Sequence, residues 1–330
     1  MSRAPEIVPF AAEHLESIAA LLAERQRRLR EVRPELPASF TDPPAWGPVL
    51  TKLAEQEGAY GVVSLGEAAP DAFLLGYPRH EPIWGRAAWS PIEGQAYRPA
   101  AGPEILRDLY AVWSRHFVDR GFFRQYVHGA ADDPAQLDTW FSTGFGKMQA
   151  HAARDLDLPL PPAGTPLDLR RPTPDDLDHI EALMPLISTQ LVTSPAYAIS
   201  LPERMETYRD DYAAELNDPA AHYWLAEEDG RAVGLMGFAE AEPGPMVPDG
   251  AWELADAKTA PDARGRGVAR ALLAAGFAEA RAAGATYCIT DWRTASLPTH
   301  RSWTALGFRP THFRLHRHID ERVAWADGRS

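Results

Sequence analysis

The chain of 330 residues carries a formal charge of −13 and a single cysteine, Cys288. Its length predicts two domains, each large enough for its own hydrophobic core. One cysteine excludes an intrachain disulfide, and the sequence has neither a membrane-length apolar run nor the apolar core of a signal peptide. We therefore expect a cytoplasmic protein, either monomer or homodimer. The acidic balance argues against a nucleic-acid partner, because it repels a phosphate backbone.

The first part of the chain predicts a short strand followed by an amphipathic helix. Residues 6–10 form the strand-like run, and residues 11–18 have the apolar spacing of a helix. A further strand signal lies at 73–77, and a segment containing two prolines and one glycine follows at 97–104.

A proline-rich segment at 156–167 divides the chain into two halves that repeat each other. Four prolines and one glycine in twelve residues favour an extended linker. The anchors that recur at a nearly constant spacing are Leu15 and Leu177, Ile18 and Ile180, Trp140 and Trp303, and Gly144 and Gly307. This pattern predicts duplication of one domain, with domains at 1–155 and 168–330. Two unrelated domains are the alternative.

Each half predicts strands in its middle and helices on either side. The second half begins with a strand-like run at 169–172 and a helical run at 173–180, as the first half does at its own start. Its central strand signals lie at 232–238 and 251–257. The order predicts an α+β layered fold, with a mixed central sheet flanked by helices in each half.

A glycine-rich turn at 264–269, Arg-Gly-Arg-Gly-Val-Ala, connects the strand-like run 251–257 to an apolar helical run at 268–277. Such a turn presents free backbone N–H groups at the positive end of the helix dipole, which suits a phosphate or pyrophosphate. Gly265 and Gly267 lack side chains that would keep an anion from the backbone. The Gly-x-Gly-x-x-Gly fingerprint of dinucleotide-binding folds is absent.

The second half resembles the GCN5-related N-acetyltransferase (GNAT) superfamily. Arg264, Gly267 and Ala269 match its Arg/Gln-x-x-Gly-x-Gly/Ala loop. The family's later elements also follow in order: a helix, a strand at 286–291 and a short helix that ends in Leu-Gly-Phe at 306–308. Together with the repeat, the resemblance implies two tandem GNAT folds.

The resemblance implies acyl transfer from acetyl-CoA, or another acyl-CoA, to an amine of a small molecule, without a metal. Family members pair strand backbone with the pantetheine arm and place the pyrophosphate on the glycine loop. The residues that this implies for cofactor binding are Ala257, Lys258, Thr259, Arg264, Gly265, Arg266, Gly267, Val268, Ala269 and Arg270.

The first half departs from the family at the corresponding loop, 97–104. Its two prolines each remove an N–H donor, which is the group that a pyrophosphate cradle needs. We therefore predict a degenerate first domain with a structural or substrate-shaping role, and an acyl-CoA site in the C-terminal domain.

Glu253 is our first candidate for the general base that deprotonates the amine. It lies eleven positions before Arg264, a spacing found for the catalytic glutamate of some family members. Strand alternation places Asp256 on the opposite face, although a β-bulge would exchange the faces and make Asp256 the alternative. Tyr287 on the next strand is a further catalytic candidate, considered for the acid that protonates the leaving thiolate, although it does not clearly replace the family's usual tyrosine.

The general acid is the point at which the match fails. Many relatives carry a tyrosine where this chain has Trp303, and an indole N–H only donates a hydrogen bond. Two alternatives follow: a non-catalytic acyl-CoA-binding protein, and a transferase that uses charged tRNA. The basic run Arg25–Arg30 is the only support for the second alternative, and we interpret it as a solvated helix face.

Overall fold

The computed structural model describes residues 5–162, 167–193 and 195–326, which form two compact units. The first unit contains residues up to 150, the segment Gly244–Asp249 and residues 311–326. The second contains the other described residues. Residues 163–166 of the predicted linker lie outside the described part of the chain.

The elements follow the order that the sequence predicts. The strands are β1 (Glu6–Pro9), β2 (Tyr60–Leu65), β3 (Pro70–Glu81), β4 (Gly85–Ser90), β5 (Gln95–Tyr97), β6 (Arg124–Ala130), β7 (Gly146–Asp155), β8 (Asp168–Arg170), β9 (His222–Glu228), β10 (Arg231–Glu240), β11 (Trp252–Thr259), β12 (Tyr287–Arg293) and β13 (Arg309–His318). The helices are α1 (Leu15–Val32), α2 (Trp46–Ala54), α3 (Ile105–Val118), α4 (Pro134–Ser142), α5 (Leu177–Ile180), α6 (Leu186–Thr193), α7 (Pro202–Glu206), α8 (Tyr208–Asn217), α9 (Val268–Ala282) and α10 (Leu297–Ala305).

The first unit is a mixed sheet with helices on both faces. Strands β1 to β4 are successive antiparallel neighbours, β6 lies parallel to β4, and β13 lies antiparallel to β6. Leu74 packs with Trp113 of α3, whereas Phe73 and Leu75 pack with Trp46 of α2. Because neighbouring residues of a strand point to opposite faces, the two clusters are the two sides of one sheet.

The second unit repeats this strand order. Strands β8 to β11 are successive antiparallel neighbours, and β12 lies parallel to β11. Helix α9 connects β11 to β12 as α3 connects the strands of the first unit. The same order and the same strand directions in both units confirm the predicted repeat and the layered α+β fold.

Two segments from late in the chain belong to the first unit. Residues 312–318 of β13 pair with β6, and Gln26 of α1 donates a hydrogen bond to the carbonyl of Pro245 at 3.2 Å. The predicted domains 1–155 and 168–330 are contiguous stretches of sequence. The first compact unit, in contrast, also includes residues 244–249 and 311–326, and the second begins at residue 151. Among the described residues, we find no helix with the length and apolarity needed to cross a membrane.

Candidate active site

A β-bulge in β11 decides which of its side chains share a face. Leu254 and Asp256 pair with the consecutive residues Phe238 and Gly237 of β10, so Ala255 is an extra residue. Paired residues of an antiparallel ladder lie on the same face. One face therefore carries the residues Leu254, Ala257 and Thr259, and the other carries Glu253, Asp256 and Lys258. The prediction that Asp256 lies on the opposite face from Glu253 is wrong, because β11 contains the β-bulge that the alternative for Asp256 required.

The parallel ladder between β11 and β12 is short. It joins Trp252 to Cys288 and Glu253 to Ile289, although β11 continues to Thr259. Beyond this ladder, Thr290 still contacts β11 through a side-chain hydrogen bond of 3.0 Å to the carbonyl of Leu254. Among the described residues, the backbone of β11 from residue 255 onward has no ladder partner on the β12 side, which leaves room for an extended ligand.

The glycine turn has the backbone conformation that only glycine adopts readily. Gly265 has φ +76° and Gly267, the residue before α9, has φ +95°. A Cβ on Gly234 of β10 would lie 2.5 Å from Val268, so the start of α9 packs directly against the sheet. The first-turn N–H groups of α9 have no partners within the helix and are available to an anion.

The turn and the end of β11 line a cavity of about 600 Å³. Nine of the ten residues predicted for cofactor binding line it, and Arg266 does not, because its guanidinium pairs with Glu228. Among the residues that the structure describes, the charged ones that line the cavity are Lys258, Arg264 and Arg270, and all three are cationic. In a chain with a net charge of −13, this local field favours an anionic ligand.

Helices α6 and α10 form the remaining walls of the cavity. Gln190 of α6 donates hydrogen bonds to the hydroxyls of Ser296 and Thr299, at 3.3 and 3.0 Å, and so joins the two helices. Trp303 of α10 also lines the cavity, while its ring packs edge-on against Phe308. Sequence reasoning missed the wall from α6, because no motif marks it.

A buried polar cluster lies beside the cavity on the bulged face of β11. Lys258 Nζ donates to both carboxylate oxygens of Asp256, at 2.6 and 2.5 Å, and to the Tyr212 hydroxyl. Tyr212 Oη donates to Asp256 at 2.6 Å. Burial raises the pKa of Asp256 to about 7, helped by the charge of Glu215, and desolvation lowers the pKa of Lys258 to about 7.

Comparison with known proteins connects this geometry to a family. Residues 188–308 match the model of the acetyltransferase (GNAT) family. The aminoalkylphosphonate N-acetyltransferase of Salmonella typhimurium is 29% identical over 151 residues, which are 45% of this chain and 88% of that protein. The crystal structure of a GCN5-related N-acetyltransferase from Sphaerobacter thermophilus covers 95% of this chain and 96% of its own, with a TM-score of 0.59 and 16% identity. Residues 188–308 thus match the GNAT family, and the whole chain has the GNAT fold.

A third likeness also concerns the whole fold. A GCN5-related glucosamine N-acetyltransferase region of a fungal multi-domain β-N-acetylglucosaminidase aligns over 95% of this chain and 38% of that chain, with a TM-score of 0.53 and 13% identity. The GNAT fold thus extends over both units.

None of the three predicted catalytic residues, Glu253, Asp256 and Tyr287, is among the residues that line the described cavity. Glu253 is exposed at the end of the β11–β12 ladder, and its pKa is raised by desolvation and by the carboxylate of Asp291. Tyr287 is half-buried at the first position of β12. Asp256 bonds directly to Lys258, which lines the cavity.

The corresponding region of the first unit is filled by arginine side chains. β5 pairs with β3 as the last residues of β11 pair with β10. Arg25 of α1 is buried, and its Nη1 donates to the carbonyls of Ile92 and Gln95 at 2.5 Å each. Arg28 Nη2 donates to the carbonyl of Tyr97 at 3.3 Å. Interpreting this basic run as a solvated face is therefore wrong for Arg25.

Proposed function

We propose that this GNAT protein transfers an acyl group from acetyl-CoA, or another acyl-CoA, to an amine of a small molecule, at a site in its second unit. The observation that carries the proposal is the cavity at residues 257–270. There the glycine turn meets the end of β11, which among the described residues has no ladder partner on the β12 side, and the charged residues of the lining are cationic. A CoA thioester is an extended molecule with a pyrophosphate, and it needs each of these features.

The cavity residues suit the two ends of such a donor. The N–H groups at the start of α9, with Arg264 and Arg270 beside them, would hold the pyrophosphate. The backbone of residues 257–259 would pair with the amide groups of the pantetheine arm. Each helix-end contact contributes about 0.3–1 kcal/mol at an exposed site, so micromolar affinity needs several of them together.

The acceptor amine must lose a proton, and Asp256 is our candidate to take it. Its side chain is about one-eighth exposed, and it contacts Lys258 at the cavity wall. A carboxylate with a pKa raised by burial is a stronger base near neutral pH than an ordinary one. Glu253 on the same face is the alternative, and its exposure makes it the weaker candidate.

The name of one relative supplies the first acceptor to test. A relative named for aminoalkylphosphonates matches 45% of this chain. We therefore place 1-aminoethylphosphonate first in the panel of acceptors, with ethylamine as the matched amine that lacks the acidic group. The charged-tRNA alternative loses its support, since Arg25 and Arg28 bond to backbone carbonyls.

Two measurements test the proposal. Isothermal titration with acetyl-CoA should give one site per chain with micromolar affinity, and thiol release should then depend on both the chain and an amine. Absence of binding would contradict the proposed donor. Binding without thiol release for any amine would favour the non-catalytic alternative, for which Trp303 is the sequence support.

The two carboxylates are distinguished by substitution. Asp256→Asn should lower kcat by about 100-fold or more, which is the usual range for loss of a general base, and Glu253→Gln by less than about threefold. The reverse ranking would identify Glu253 as the base. Acetyl-CoA affinity, measured by the same titration, should remain within about threefold in both variants, because neither residue lines the cavity.

A further inference from the structure

The departing thiolate of CoA needs a proton, and the position of the family's usual tyrosine holds Trp303. Among the described residues that line the cavity, the groups with acidic protons are few. Guanidinium groups and aliphatic hydroxyls are in general poor proton donors to a thiolate. This leaves aside the lining residues Arg264, Arg270, Thr259, Thr299 and Ser302. Lys258 is the remaining candidate.

The surroundings of Lys258 suit a group that gives up and regains a proton. Its side chain is 4% exposed, and its Nζ lies 4.7 Å from the centre of the Tyr212 ring. The charged and titratable groups that face it are Asp256 on its own strand and Tyr212 on α8, with Glu215 and Tyr223 beyond them. Desolvation opposes the ammonium form, while contact with Asp256 supports it, so neither form is strongly excluded.

We propose that Lys258 is the general acid that protonates the leaving thiolate, and that Asp256 then returns the proton to it. The proposal rests on the proposed acyl-CoA-dependent transfer. The hydrogen bonds of 2.5 and 2.6 Å between Lys258 and Asp256 carry it, together with the place of Lys258 in the cavity wall.

The transfer balances in protons and electrons. The lone pair of the neutral amine forms the C–N bond with the acyl carbon, and the C–S bond breaks with its electron pair on sulfur. Asp256 takes the one proton that the nitrogen loses, and Lys258 gives one proton to sulfur. A proton then moves from the carboxyl of Asp256 to the neutral amine of Lys258 along their hydrogen bond, which restores both groups.

A leaving-group comparison tests this role. S-acetylpantetheine and S-(4-nitrophenyl) thioacetate both lack the nucleotide of acetyl-CoA, but only the second releases a thiolate that is stable without a proton. Lys258→Met should lower kcat/KM with S-acetylpantetheine by about 100- to 1,000-fold and with the nitrophenyl thioester by less than about tenfold. An equal loss with both donors would overturn the proposal.

Two further variants separate proton donation from charge and from folding. Lys258→Arg keeps the positive charge but does not release a proton, so it should show the same donor-dependent loss as Lys258→Met. Rescue by arginine would overturn the proposal in favour of an electrostatic role. Lys52→Met, at an exposed position of α2, is the control and should behave as the natural chain. If the natural chain released no thiol from any donor, the proposed function would fail, and this proposal with it.

The pH profile gives a second readout. Because the pKa of Lys258 is lowered to about 7, its ammonium form is present below this pH and is lost as the pH rises through it. We expect kcat with S-acetylpantetheine to fall on the alkaline side in the natural chain. Lys258→Arg should lack this fall, and a fall of the same size in that variant would overturn the role of Lys258.

Discussion

The two units of this protein have the same strand order, but the turns that lead into their central helices differ in sequence and backbone conformation. In the second unit the turn contains two glycines with positive φ, and it borders a cavity with cationic walls. In the first unit the turn at 98–104 contains a short 3₁₀ helix with Pro99, and Glu104 precedes α3. The fold alone therefore does not make an anion-binding turn, because the backbone N–H donors depend on the local sequence of the turn.

The two units also differ in what contacts the strand before the turn, which is β5 in the first unit and β11 in the second. The arginines of α1 donate to the carbonyls of the first unit's strand β5, which would otherwise be open to a ligand. In the second unit, Tyr212 of α8 contacts β11 through side chains, because its hydroxyl bonds with Asp256 and Lys258. In the first unit, arginine side chains thus occupy carbonyl groups of β5, whereas in the second unit the end of β11 lies beside a buried polar cluster.

The largest expected effect comes from placing a carboxylate in each turn. Gly265 and Gly102 have nearly the same φ, +76° and +73°, and a Cβ at either position would meet no atom within 4 Å. Both substitutions by glutamate therefore cost a similar strain of about 1–2 kcal/mol. Gly265→Glu should weaken acetyl-CoA binding by at least about 100-fold in a calorimetric titration, and Gly102→Glu should leave it unchanged. An equal loss of acetyl-CoA affinity in both variants would contradict the proposal that only the turn of the second unit binds the cofactor.

The contribution of the buried Arg25 to the first unit can be measured as a change in stability. Arg25→Met removes the donor to the carbonyls of Ile92 and Gln95 in a buried environment. We expect a loss of about 1–3 kcal/mol in the free energy of unfolding, measured by urea denaturation. The stoichiometry of acetyl-CoA should stay at one per chain, since the prolines of the first turn still lack N–H donors. A second binding site in this variant would show that the arginines alone close the first unit.

A smaller effect is expected from the arginine that precedes each turn. Arg264 is exposed and lines the cavity, whereas Arg98 Nε donates to the carbonyl of Pro70 at 2.9 Å. Arg264→Ala should weaken acetyl-CoA binding by about fivefold, with a smaller loss at high salt, because the contact is a screened charge of about 1 kcal/mol. Arg98→Ala should not change the affinity. A salt-independent loss for Arg264→Ala would argue for a packing role.

The smallest effect on turnover is expected at the paired tryptophans. Trp140 is fully buried and donates to Gln95 at 3.2 Å, whereas Trp303 borders the cavity. Trp303→Tyr restores the phenol that many relatives carry, yet it should change kcat by less than about threefold if Lys258 already supplies the proton. Trp140→Tyr should lower the melting temperature without changing KM. A tenfold rise in kcat for Trp303→Tyr would mean that the natural chain lacks an efficient acid.

Much of this architecture could be predicted from residue patterns. The recurring pairs such as Leu15 and Leu177 indicated the repeat, and Gly265 and Gly267 indicated the cradle before α9. The two prolines of the first turn indicated its degeneracy. These signals are local, because φ, the loss of an N–H and the period of a helix depend on residues close in the chain.

The cluster around Lys258 could not be predicted in this way. Strand alternation separates Asp256 from Glu253, and only the extra residue Ala255 brings their side chains to one face. Tyr212 lies more than 40 positions before Lys258 and reaches it through the packing of α8 on the sheet. Likewise, nothing near Arg25 in the sequence indicates the carbonyl of Gln95 as its partner.

The sequence by itself determined where an anion-binding turn can form and where it cannot, because glycine and proline act on their own backbone. The tertiary structure decided which titratable groups meet at that turn and which strand edge is closed by arginine. These contacts join residues far apart in the chain, and they depend on strand register and helix packing, which no single segment specifies.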